Sequence, residues 1–390
     1  MSRRKIKSGA IYTLHNRVKL IRGGSDYFNE LEKIIKQSKH SLFFQTYIFD
    51  EDNTGRRIAD AMKDAVKRGV AVYMLLDGYA SQALSKTFIK DIQDAGVHFR
   101  WFEPILKNRN FYFGRRMHHK VVVADYEVSL VGGVNISDRY NDLPGDPAWL
   151  DWAVKAEGEI SAGLARVCVQ VWKKSDLFGA RIVENATPPV IHKEWNCAVR
   201  IRRNDWVRNR SQITKSYNEM FRKANSHIII MSSYFLPGAV FQKNLSRAAR
   251  RGVKVKIVVA GASDVKLAKN AERYIYRWLF RKNIEIYEYP KSVLHAKLST
   301  YDSQWVTIGS YNVNNISAYA SVELNLDVND EEFAKQTEKK VLDIIKNECV
   351  HITEEGYRTR FNFFQKIIQR ASYDIVRLLF FLFTFYYKRQ

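Results

Sequence analysis

His118-His119-Lys120-Val121-Val122-Val123-Ala124-Asp125, followed by Gly132-Gly133-Val134-Asn135, is the stretch on which the reading of this chain turns. The same frame returns at His295-Ala296-Lys297, Asp302 and Gly309-Ser310-Tyr311-Asn312, with every internal spacing unchanged. Taken singly, each element has an ordinary explanation, a solvated edge strand or a turn. Duplication with one spacing overrides that explanation. Two histidines and two lysines in equivalent frames can attack a phosphate, hold its charge and protonate what leaves. That is phosphoryl transfer through a covalent intermediate.

The β-branched run after the first histidine predicts a buried strand over 118–123, and 295–300 predicts its twin. Alternation sends His118 and Lys120 out of one strand face, within reach of one anion, and His119 out of the other. By the same parity Asp125 and Asp302, although part of the repeated motif, fall out of phase with the histidines. They are assigned a supporting role, anchoring backbone or a basic side chain. Apolar runs at Val128 to Val131 and Trp305 to Ile308 precede the small residues. Glycine or serine there lets backbone approach a ligand, and Asn135 and Asn312 can donate hydrogen bonds to phosphoryl oxygens.

The repeat extends upstream. Ser41 to Phe49, an amphipathic stretch from Arg57 to Arg68 closed by Gly69, and Val70 to Asp77 read as strand, helix, strand. Ile228 to Phe235, Phe241 to Arg251 closed by Gly252, and Val253 to Val259 read as the same unit. The predicted fold class is α/β: two tandem α-β-α sandwich modules, 1–188 and 189–350, related by a pseudo-twofold axis. One active site is expected at their interface, with an amphipathic tail over 351–390. The linker is placed near Glu184 to Lys193, where Ala186-Thr187-Pro188-Pro189 interrupts the apolar pattern.

Arg115-Arg116-Met117-His118-His119-Lys120, Gly132 to Ile136, Asp151 with Trp152, Tyr234-Phe235-Leu236-Pro237, and Gly309 to Asn312 leading to Ser317 and Glu323 carry a family likeness. Through them the chain resembles the phospholipase D superfamily and, within it, the cardiolipin synthase branch. It looks most like the shorter B-type synthases that lack amino-terminal membrane helices. The resemblance implies a metal-independent ping-pong reaction with no cofactor. It makes His118 the nucleophile that forms a phosphatidyl-histidine, and His295 the general acid that protonates the leaving alcohol and then deprotonates the acceptor. Lys120, Lys297, Asn135 and Asn312 would hold the nonbridging oxygens. Asp151 and Glu323, each downstream of its respective histidine, would orient the imidazoles and raise their basicity. The residues themselves leave open which histidine attacks, because the two copies are nearly symmetrical. Asn314 and Ile316 stand where many synthases carry Asp and Arg, a departure that bears on the lipid donor.

The reaction so implied is phosphatidyl transfer between two phosphatidylglycerols, giving cardiolipin and glycerol. Phosphatidylethanolamine as donor, glycerol as acceptor, or water as acceptor in a lipid hydrolase or nuclease are the alternatives, since one phosphohistidine serves them all. A noncatalytic lipid-binding module is disfavoured because both motif copies retain every reactive residue.

With 63 Lys+Arg against 41 Asp+Glu, the formal net charge of +22 calls for polyanionic partners, nucleic acid or anionic membrane. Basic clusters at Ser2 to Lys7, Lys107 to Arg116, Arg200 to Arg210 and Arg247 to Lys256 include aromatics that suit headgroups or stacked bases. The stretch Arg109 to Arg116 is placed at the site mouth. The carboxyl end decides for anionic phospholipid and against nucleic acid. There Phe361, Phe363, Phe364, Ile367, Ile368, Ile375 and the run Leu378 to Tyr387 alternate with Arg358, Lys366, Arg370 and Arg377. That run falls short of the ~20 apolar residues of a membrane span and reads as an interfacial helix; a helix capping the second core is the alternative. The first residues lack the apolar stretch of a signal peptide, so a peripheral enzyme on the cytoplasmic side of the inner membrane is expected. Cys168, Cys197 and Cys349 are scattered singletons, read as buried free thiols, and the nine histidines show no metal-ligand spacing.

Overall fold

The computed structural model describes residues 11–104, 115–174, 191–205, 210–263, 265–314, 317–318 and 321–388. Most of the expected linker, the Ser2 to Lys7 cluster, Lys107 to Gly114 and Ile316 lie outside the described residues.

Seven strands form one sheet in the order Asn16–Arg22, Trp152–Gly158, Val128–Gly132, Lys120–Ala124, Ser41–Thr46, Ala71–Asp77 and His98–Phe102. The second sheet repeats that order with Ala198–Asp205, Ser321–Asn329, Trp305–Gly309, Lys297–Tyr301, His227–Ser232, Lys254–Ala260 and Glu285–Tyr289. The duplicated motif is therefore a duplicated topology. Arg210–Ser211 and Val350–His351 extend the edges of the second sheet, and Arg116–Met117 from the first half joins it beside Ser321–Val322.

Parallel pairing in each half runs through one helix. Ser41–Thr46 reaches Ala71–Asp77 by way of helix Asn53–Lys67, and His227–Ser232 reaches Lys254–Ala260 by way of helix Ala239–Arg250. Each helix is stopped by a glycine in the left-handed region, Gly69 at φ 89° and Gly252 at φ 91°, a conformation that a Cβ would strain.

The motif strands are buried on both faces, which is why Val121 to Ala124 reads as an unbroken apolar run; the second strand buries Ser299 and Thr300 as well. Val121 and Val123 enter a central core shared with Leu298, Val306 and Leu326 of the other sheet and with helices Glu159–Lys174 and Glu331–Glu348. Val122 and Ala124 turn to an outer core beneath helices Ser25–Gln37, Asn53–Lys67 and Lys86–Asp94. A fully buried leucine such as Leu298 contributes roughly 1.5–3 kcal/mol by its burial. The halves are thus joined by a shared hydrophobic core.

The carboxyl end is built onto the second half. Val350–His351 pairs with Tyr287 and Glu288, and Tyr357 and Phe361 enter the second outer core. Helix Phe363–Lys388 then lies along helix Lys266–Phe280. Val376 and Phe380 are buried against it, while Phe364, Ile367, Ile368, Ile375 and Leu378 face outward. One face of this helix thus packs on the second core, and a second, apolar face is exposed. Among the described residues no helix is long and apolar enough to cross a membrane. Cys168 and Cys197 are buried free thiols; Cys349, expected to be buried, is only partly covered.

Candidate active site

The strand expected over 118–123 begins at Lys120. His118 and His119 precede it, and both their N–H groups donate to Val322 O in the other half, at 3.0 and 3.2 Å. His119 is fully buried with Nε2 2.8 Å from Gln45 Oε1, and burial pushes its imidazole down to about 3. It is a neutral packing residue.

Asp125 and Asp302 stand apart from the histidines because the strand ends before them. Asp125 and Tyr126 have φ of 54° and 61°, and Asp302 and Ser303 have 51° and 52°. Two successive left-handed residues close a tight hairpin, and aspartate is among the few side chains that adopt that region readily. The Asp125 carboxylate accepts from the N–H groups of Lys39, His40 and Ser41, each at 2.8 Å. Asp302 accepts from Asn225, Ser226 and His227 at 2.8, 2.9 and 2.8 Å. Part of the repeated motif but not of the reactive group, each aspartate closes a hairpin and anchors the backbone before a neighbouring strand.

At the other end of the hairpins the two halves meet crosswise. Arg116–Met117 runs parallel with Ser321–Val322, which sets His118 Nδ1 3.0 Å from Glu323 Oε2. By the same pattern Leu294 bridges Leu150, His295 N–H donates to Leu150 O at 2.8 Å, and His295 Nδ1 lies 2.6 Å from Asp151 Oδ2. Pairing each acid with the histidine upstream of it is thus corrected. Glu323 serves His118, and Asp151 serves His295. An Nδ1–H donated to a carboxylate leaves Nε2 as the basic nitrogen of each ring.

The lysines open the two motif strands. Lys120 Nζ donates to His118 O at 2.6 Å and stands 5.1 Å from the Tyr47 ring centre. Lys297 Nζ donates to Ser233 Oγ at 2.9 Å and to His295 O. Burial pushes the Lys120 ammonium down to about 7, and the Lys297 charge adds to that push. Burial also holds both imidazoles below their ordinary value, and His295 feels Lys297, Lys120 and His118 besides. Groups from both halves thus share one electrostatic environment. An anion placed among them relieves the mutual repulsion.

The two acids differ. Burial lifts the Asp151 carboxyl to about 7, opposed only in part by Lys297 and the Trp152 amide. For Glu323 burial pushes the same way but is outweighed by His118 and the Ser310 hydroxyl, and the carboxyl stays below its usual range. The His118 contribution is the larger part of the difference, and one motif position adds to it. A Cβ on Gly133 would stand 2.5 Å from both Asp151 oxygens, whereas Ser310, its counterpart, donates its hydroxyl to Glu323 Oε2.

Asn135 accepts from Ile48 N–H at 3.2 Å and donates to Tyr140 OH at 2.8 Å, and Asn312 Oδ1 accepts from Ser233 Oγ at 3.0 Å. Both fasten loops that wall the site. The motifs do not single out Tyr47, Tyr140, Trp149 or Ser233. Yet Tyr47 stands edge-on to His118 at 4.8 Å, Tyr140 to His295 at 5.1 Å, and Trp149 lies 6.0 Å from His295. Position is the signal for two of them. Tyr47 and Ser233 follow the carboxyl ends of equivalent parallel strands, where ligand sites of α/β sheets open.

The sequence family described as cardiolipin synthase, PLD-like domain, matches residues 31–161 and 217–344. Cardiolipin synthase B of Salmonella typhimurium strain LT2 is 32% identical over 352 residues, covering 87% of this chain and 83% of its own. Cardiolipin synthase B of Escherichia coli K12 is 30% identical over the same shares, and cardiolipin synthase 1 of Bacillus anthracis is 27% identical, covering 93% of this chain and 71% of its own. Phosphatidylserine synthase of Haemophilus influenzae Rd KW20 shares the fold, with a TM-score of 0.72 over 95% of this chain and 96% of that chain at 13% identity.

Proposed function

This chain belongs to the cardiolipin synthase branch of the phospholipase D superfamily, and from that premise we propose that it is a phosphatidyltransferase joining two phosphatidylglycerols into cardiolipin with release of glycerol. The observation that carries the reading is the crossed pair of histidines, each on a carboxylate of the other half, between two buried lysines.

In the first step His118 Nε2 attacks the donor phosphorus. The P–N bond forms as the P–O bond to glycerol breaks, and His295 gives its Nε2 proton to the departing oxygen. In the second step His295 takes the proton from the hydroxyl of the second phosphatidylglycerol, whose oxygen attacks phosphorus and frees His118. Lys120, Lys297, Asn135 and Asn312 hold the nonbridging oxygens as charge develops. Two features favour this division of roles. Ionised Glu323 stabilises the positive ring of a phosphohistidine on His118, whereas Asp151, lifted to about 7, shares a transferable proton with His295. Burial chiefly holds His295 down, and the substrate's own negative charge counters the lysines that add to it.

The same reading puts the enzyme on anionic membrane, at the cytoplasmic face of the inner membrane. The outward face of helix Phe363–Lys388 supports it, with Phe364, Ile367, Ile368, Ile375 and Leu378 on one stripe and Lys366, Arg370 and Arg377 beside it. Labelled phosphatidylglycerol in mixed micelles, resolved by thin-layer chromatography, tests the reaction. Cardiolipin with glycerol is the expected product. Phosphatidic acid alone would make the enzyme a hydrolase, and cleavage of single-stranded DNA with lipid untouched would make it a nuclease.

A further inference from the structure

A second cationic site lies away from the histidines. Between helices Lys266–Phe280 and Glu354–Arg360 and the start of helix Phe363–Lys388 there is a cleft of about 700 Å³. Arg277, Arg281, Arg358 and Lys366 line it, with Trp278 and Tyr373 among its walls. The acid in the lining, Glu354, already pairs with Arg358 at 2.6 Å. The cations are instead steadied by backbone: Arg281 Nε donates to Arg277 O and Lys366 Nζ to Arg358 O, each at 3.3 Å. Four cations gathered around one neutralised carboxylate repel one another, and a bound anion removes that cost. None of the histidines, lysines or acids of the candidate active site lines this cleft.

The surroundings say which anion. Asn362 and Gln365 exchange backbone-to-side-chain hydrogen bonds at 2.9 and 3.0 Å, a reciprocal cap that fixes the start of the tail helix. That cap holds Phe363 one turn before Lys366, and Phe363 and Phe364 are 72% and 74% exposed. Cations in a cleft beside exposed rings match a phosphodiester headgroup whose acyl chains continue into a bilayer. We propose that this cleft binds the phosphodiester headgroup of an anionic phospholipid that is not the substrate, docking the tail helix on the membrane. The proposal rests on the membrane reading given above. Free phosphate shares the headgroup's chemistry and is separated from it by the experiment.

The full chain is sedimented with vesicles of phosphatidylcholine containing phosphatidylglycerol, and with phosphatidylcholine alone. R277Q/R281Q is compared with R370Q/R377Q, which removes equal charge from the same region outside the cleft. Diffuse attraction amounts to about fivefold in affinity per cation, so the control pair, two cations, should lose about 25-fold. The cleft pair should lose about tenfold more, because charge-assisted hydrogen bonds in a cleft exceed a charge facing water. Turnover of soluble short-chain phosphatidylglycerol should be the same in both. Equal losses in the two pairs overturn the cleft. F364S/I368S separates the two readings: full vesicle binding by that variant sinks the membrane reading and the cleft with it, whereas its loss alongside equal charge-pair losses sinks the cleft alone. Inorganic phosphate at constant ionic strength should leave the chain on the vesicles. Phosphate binding to the lipid-free chain that R277Q/R281Q abolishes, together with equal vesicle losses in the two charge pairs, would assign the cleft to free phosphate instead.

Discussion

His118 leans on Glu323 and His295 on Asp151 by the same exchange between halves, yet the two pairs are electrically unlike. Ser310 donates a hydroxyl to Glu323, while Gly133, in the equivalent place, leaves Asp151 with the Trp152 N–H at 2.7 Å. Glu323 is held down and Asp151 is lifted to about 7. Duplication supplied two equivalent imidazoles, but their carboxylate partners differ: His118, with the Ser310 hydroxyl added, outweighs burial at Glu323, and burial prevails at Asp151. A site that must alternate between attacking phosphorus and moving a proton needs that inequality.

The comparison can be broken most sharply at the histidines. His118→Ala and His295→Ala should each lower turnover of phosphatidylglycerol by about 10⁴-fold or more. With a nitrophenyl phosphodiester, whose leaving group needs no proton, His295→Ala should keep the burst of covalent enzyme and His118→Ala should lose it. The reverse pattern would exchange the roles. Ser310→Ala comes next, with an expected loss of about ten- to hundredfold in kcat, the value of one hydrogen bond to a charged group. Removing that donor raises the Glu323 carboxyl, so the acid limb of kcat/KM should move to higher pH; an unmoved limb would detach Ser310 from the inequality.

A smaller effect concerns the lysines. In the free enzyme Lys120 is pushed down to about 7. As pH rises past that value the site loses positive charge, so kcat/KM should fall by about tenfold per unit, the slope of a single proton. Bound phosphodiester restores the ammonium, so kcat should hold to higher pH. A kcat/KM that climbs from pH 7 to 9 would refute this. The smallest effect on turnover belongs to Asp125→Ala and Asp302→Ala. Each should cost about 2 kcal/mol of stability through lost hydrogen bonds to backbone, seen in denaturant midpoints, with activity per folded molecule retained.

The topology is legible in the sequence because spacing, glycine stops and apolar runs are local properties. Gly69 and Gly252 close their helices where the Lys-Arg-Gly-Val and Arg-Arg-Gly-Val joints predict it. The crossing of the acids is not legible. Asp151 and Glu323 follow their own halves' histidines along the chain, and the contacts of Arg116–Met117 with Ser321–Val322 and of Leu150 with Leu294 reverse the pairing. Parity placed Asp125 by supposing a continuing strand, but the strand ends at Ala124 and the backbone turns left-handed. In the tail, apolar residues occupy two faces of one helix. Composition cannot divide Val376 and Phe380, which pack, from Ile375 and Leu378, which do not.

The backbone bonds from His118 to Val322 and from His295 to Leu150 tie each imidazole to the opposite sheet. A slippage of the sheets against each other therefore unseats both rings in a single event, before either sheet has melted. Thermal inactivation should then precede loss of secondary structure, making turnover a gauge of how firmly the two halves are seated.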